Sequence, residues 1–126
     1  MSSIQLLSIL KSKLLVFMDE LIAVLPEEKD FLVMRFFIKD QVPVFDIMEY
    51  ICEKLLPLEH FVINRDDRFF LDNQVLFEGL KDNKSKANYF KNVWRSSDDV
   101  ENKEMIWKWF EFFINLGKKF QLLEED

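Results

Sequence analysis

Histidine and cysteine are nearly missing from this chain: His60 and Cys52 are the only ones. One histidine cannot build a histidine-rich metal site, and one cysteine cannot close an internal disulfide or a Cys-x-x-Cys pair. Glycine is almost as scarce, with Gly79 and Gly117 alone, so no glycine-rich phosphate cradle and no Gly-x-Ser-x-Gly elbow can be assembled. The same scarcity removes the positive-φ turns on which hairpin-rich folds depend. A membrane span is not expected, since one needs about 20 nearly uncharged residues. The richest apolar stretch, Ile4 to Leu25, is interrupted by Lys11, Lys13, Asp19 and Glu20. A secretory leader pattern is lacking too, and with a single thiol the expected site of folding is reducing, intracellular and not secreted.

What is present is the composition of a globular protein, 49% apolar and 32% charged over 126 residues. That length predicts one domain, residues 1–126, able to bury a core without metal or disulfides. Helical periodicity dominates. Leu6, Leu10, Leu14, Phe17, Leu21 and Val24 form one stripe, and the helix they define should end at Leu25, because Pro26 disfavours helical geometry in the residue before it. Pro26 fits the first turn of a second helix through Phe31, Met34, Arg35 and Ile38 to about Lys39. Pro43 opens a third, in which Val44, Ile47, Met48, Ile51, Cys52 and Leu55 recur at steps of three and four, and Pro57 should stop it. Leu58 to Ile63 is compatible with a helical turn or an extended piece. Ser85 and Asp98 are placed to cap two later helices, and Leu122 to Asp126 should fray. The expected fold is all-α, a compact domain of five or six helices.

The densest feature is Glu104 to Ile114, with five aromatic rings in eleven residues. On a helical wheel Phe112, Met105, Leu116, Trp109, Phe120, Phe113, Ile106 and Phe110 share one face. Trp107 and Ile114 fall at its margin. Those two, with Trp94, are therefore the candidates for a protein interface, where large aromatics act as anchors. Glu104 and Lys108 are an i,i+4 pair in the favourable order.

A formal net charge of -6 opposes non-specific attraction to phosphate backbones. Residues 81–95 are the exception, with Lys81, Lys84, Lys86, Lys91 and Arg95 against Asp82 alone. Tyr89, Phe90 and Trp94 lie among them, and basic plus aromatic is the chemistry of single-stranded nucleic-acid binding. The competing reading is a solvated helix face whose rings are core.

Catalytic patterns are sparse, and neither catalytic residues nor a cofactor or metal is expected. Cys52 belongs to an apolar stripe, where a cysteine serves as a small hydrophobe. His60, between Glu59 and Phe61, reads as partly buried or capping. The cluster Asn64-Arg65-Asp66-Asp67-Arg68 offers paired carboxylates, but it lacks the glycine and terminal glutamate of a calcium loop. A structural ion-pair network that anchors Phe69 and Phe70 in the core is expected there.

The order Ile63-Asn64-Arg65-Asp66-Asp67 with Phe69-Phe70-Leu71, then Leu76-Phe77, Asn88-Tyr89-Phe90-Lys91 with Trp94, and Ile106-Trp107-Lys108-Trp109-Phe110 resembles small helical proteins of the large nucleocytoplasmic DNA viruses, the giant viruses. The resemblance covers roughly residues 25 to 121. It implies a viral protein in the virion or the infected host cell, and it carries no catalytic signature. The expected function is non-enzymatic, acting through protein contacts and including a homodimer. Single-stranded nucleic-acid binding through residues 81–95 is the alternative.

Overall fold

The computed structural model describes residues 2–26, 29–71 and 100–124. Every element among them is helical: α1 (Ser3–Val24), α2 (Lys29–Phe36), α3 (Val44–Tyr50), α4 (Glu59–Ile63), α5 (Arg68–Leu71) and α6 (Val100–Glu124). Two π-helical turns, Phe37–Gln41 and Ile51–Leu55, extend α2 and α3, and a 3₁₀ turn at Leu56–Leu58 leads into α4. The all-α class expected from the periodicity is the observed one. The helix expected after Asp98 is observed as α6, from Val100 onward, while the Asp98 cap itself and the helix expected after Ser85 lie outside the described residues.

Each boundary has a local cause. Extended Ser2 caps α1 by accepting from the Gln5 backbone N–H, while its own N–H donates to Gln5 Oε1. This reciprocal box satisfies two of the N–H groups that a helix start leaves open. At the other end Leu25, ahead of Pro26, leaves the helical region and donates its N–H to the Leu21 carbonyl. Pro57 stops the third helix as expected, since α3 and its π turn end at Leu55, ahead of the proline. It brings no N–H to the α-helical ladder, and the chain passes it in 3₁₀ geometry before α4 begins. The C-terminal turn expected to fray is helical as far as Glu124.

The chain divides into two compact units. One comprises residues 1–56 and 112–126, the other residues 57–111. In the first, α1 buries Leu6, Leu10, Leu14, Phe17, Met18 and Leu21 on the face its periodicity defines, and α2 and α3 pack on it. Phe31, Met48, Ile51, Leu55, Phe113, Ile114, Leu116 and Phe120 complete this core. Phe17 meets Phe113 edge to face, with ring centroids 5.7 Å apart. An Arg35 to Asp19 ion pair of 2.7 Å ties α2 to α1 at the surface.

Close helix packing in this unit centres on Gly117. A Cβ placed there would lie 2.9 Å from Ile51 Cγ2 and 3.4 Å from Leu56 Cδ2. The glycine lets α6 approach the Ile51–Leu55 turn at a distance no other residue permits. In the second unit, Phe69 is fully buried against Trp107 and Phe110, at centroid distances of 5.9 Å and 5.1 Å. Val62 and Ile106 are buried in the same unit.

Candidate interaction surface

The polar cluster after α4 is the most highly organised polar feature among the described residues. Helix α4 closes in a Schellman arrangement: the Asp66 N–H donates to the Phe61 carbonyl at 2.8 Å, and the Arg65 N–H to the Val62 carbonyl at 3.2 Å. Arg65 occupies the position that glycine normally takes, at φ 52°, a left-handed geometry costing an L residue on the order of 1–2 kcal/mol. Its side chain supplies the compensation. The guanidinium donates to Glu104 through Nε and through Nη2, the latter at 2.7 Å, and to Glu111 and the Val62 carbonyl through Nη1.

The charges respond to this geometry. Hydrogen bonds from Arg65 hold the Glu104 carboxyl below its ordinary value, and the same bonds push the Arg65 guanidinium upward. Arg68 pairs with Asp66 at 2.6 Å, stacks 5.5 Å from the Phe61 ring centroid, and lowers the Asp66 carboxyl through its side-chain and backbone hydrogen bonds. The expected anchoring network is therefore present for Phe69. Its partners differ in part from the expected ones: Asp66 and Arg68 neutralise each other locally, whereas Arg65 reaches across to α6. Glu104 consequently gives its carboxylate to Arg65. The Phe70 side chain lies outside the described residues.

No group of three or more His, Cys, Asp or Glu side chains among the described residues is placed to hold a metal ion. Cys52 is half-buried, and its thiol donates to the Gly117 carbonyl at 3.5 Å. Burial first, then Glu53 and Glu49, pushes that thiol above its ordinary value, the opposite of what a nucleophilic thiolate needs. His60 is exposed and lies against its neighbour Phe61, contrary to the expected partial burial.

The aromatic helix is core. Trp107 is 3% exposed and Ile114 2%, which overturns their assignment to a protein interface. The inward arc of α6 runs through Ile106, Trp107, Phe113, Ile114, Gly117 and Phe120, while Met105, Trp109 and Phe112 are only half-buried. A wheel weighted by side-chain size points toward the heaviest rings, but the closest packing occurs where the side chain is smallest, at Gly117. Trp94 lies outside the described residues, as do Lys84, Lys86, Lys91 and Arg95, the candidates for nucleic-acid contact.

Surface apolar area is concentrated elsewhere. Leu32, Val33, Phe36 and Phe37 are 53%, 51%, 53% and 48% exposed, and further along the chain Val42 and Phe45 are exposed too, Phe45 with its ring edge to face against Phe120. The rings of Phe36 and Phe37 stand edge to face, 5.9 Å between centroids. The opposite side of α2 and its π turn carries Phe31, buried, and Met34, Arg35 and Ile38, half-buried. Between Phe31 and Ile38 every residue but Arg35 is apolar, too many for a helix with one face to bury. That excess is the signal in the sequence that identifies this surface.

No protein-family model, curated protein or solved structure matches the chain.

Proposed function

We propose that this protein is a non-enzymatic module acting through protein contacts, and that its contact surface is the apolar stripe Leu32, Val33, Phe36 and Phe37. The observation that carries this reading is the clustering of that stripe at helical spacing, whereas other exposed apolar side chains such as Ile4, Ile63 and Leu122 lie on other elements. The aromatic helix keeps its inward arc in the core, and the Arg65 and Arg68 clusters use their charges in internal ion pairs. On α2 and the π turn that extends it, by contrast, Leu32, Val33, Phe36 and Phe37 at helical spacing face water, an arrangement that marks interaction sites on soluble proteins. The resemblance to giant-virus proteins supports a viral origin, with the protein acting in the virion or inside the infected host cell.

The test is crosslinking in the producing cells, comparing the tagged chain with a Phe36→Ser/Phe37→Ser variant. Loss of specific crosslinked proteins in the variant, itself included, is expected. An unchanged set would overturn the assignment of the stripe. Quantitative mass spectrometry of purified particles against infected-cell lysate then separates the two locations: enrichment in particles indicates a packaged component, depletion an intracellular one.

A further inference from the structure

The charged ends of the α2 stripe are complementary to each other under a twofold axis. Lys29, Leu32, Val33, Phe36, Phe37 and Asp40 are all exposed and recur at three- and four-residue steps on the side of α2 and its π turn that faces away from α1. Their spacing is symmetric about a point between Met34 and Arg35. Reversing the helix direction exchanges Lys29 with Asp40, Leu32 with Phe37, and Val33 with Phe36. An antiparallel pair of such helices therefore sets aliphatic side chains against rings in the middle and a cation against an anion at both ends. An in-register parallel pair would set Lys29 against Lys29 and Asp40 against Asp40.

We infer that the occupant of this surface is a second copy of the same chain, docked antiparallel across α2, with Lys29 of each copy facing Asp40 of the other. This rests on the reading of the stripe as a contact surface and specifies its partner. Neither Lys29 nor Asp40 takes part in an ion pair among the described residues, so both charges are available. A twofold pair presents the same patch from both sides and closes on itself. The four central side chains and their flanks offer less than the roughly 800 Å² per partner of a standard interface. The pair accordingly belongs to the weak, concentration-dependent class.

Sedimentation velocity over a concentration series tests this, on the full chain and three variants: Lys29→Asp, Asp40→Lys, and the two combined. The wild type is expected to dimerise within a range reaching about 200 µM, and each single reversal, which opposes like charges at both ends, to weaken the dimer by about tenfold or more. The double variant restores complementarity and should recover the dimer. Both positions are exposed, so helicity by circular dichroism should be unchanged in all four proteins. A monomeric wild type across the series overturns the inference, as does a dimer indifferent to both reversals. A single variant that loses helicity is replaced by Phe36→Ser, which must also abolish the dimer. A monomeric wild type whose crosslinked partners still disappear with Phe36→Ser/Phe37→Ser would remove self-pairing and leave the contact surface standing.

Discussion

At Gly117 the absence of a side chain sets how closely two helical segments pack. The methyl group introduced by Gly117→Ala would meet Ile51 Cγ2, which is fixed to a β-branched carbon and cannot swing aside like the end of a flexible chain. Overpacking costs about 1–3 kcal/mol, against up to ~1 kcal/mol gained from alanine's better helix propensity. The expected net effect is a destabilisation on the order of 1 kcal/mol in denaturant titration. Combining it with Ile51→Leu, which removes that branch, should return part of the loss, and a double-mutant cycle showing strict additivity would refute the contact. Arg65 is the counterpart at which side-chain chemistry holds an unfavourable backbone. Its charge and those of its neighbours were legible in the sequence. Its carboxylate partners, 39 and 46 residues away, were not, because spacing reveals only neighbours on one element.

Among the elements, α1 and α6 show how far periodicity reaches. The stripe of α1 is pure in Leu and Phe, and its buried face follows that stripe with Met18 added. The start of α1 was not among the expectations, although the Ser2 to Gln5 spacing of its cap is that of a capping box. Helix α6 carries rings on most sides, so its inward direction is decided by packing, and Trp107 turns in where the wheel placed it at the margin. Trp107→Ala should therefore cost about 3–5 kcal/mol as a core truncation and lower the melting temperature sharply. Phe36→Ser, at a half-exposed position, should leave thermal stability near that of the wild type. Equal melting curves for Trp107→Ala and the wild type would contradict the burial seen here. Pro57 shows a different limit: the proline marks where the third helix is over, but its position does not reveal that the turns leading up to and through it are π and 3₁₀.

For the molecule as a whole, acid should act through the Arg65 cluster. Glu104 and Asp66 have carboxyls lowered by their arginine partners. Their contribution to stability is thus complete above the ordinary carboxylate values of about 4 and is lost as pH falls through the lowered ones. Arg65 remains charged throughout. Chemical denaturation between pH 7 and pH 3 should show the wild type losing stability at the acid end, and Glu104→Gln, already without one charged partner, should show a shallower decline. Parallel curves for the two proteins would remove Glu104 from the account. Cys52 gives the molecule a further property. Its thiol is unique, half-covered and held by the Gly117 carbonyl, so its reactivity should rise whenever the packing around α6 gives way. A thiol reagent then works as a clock for breathing motions: the labelling rate should be slow, should rise with denaturant well before global unfolding, and should quicken in Gly117→Ala, reporting in real time how often this seam opens.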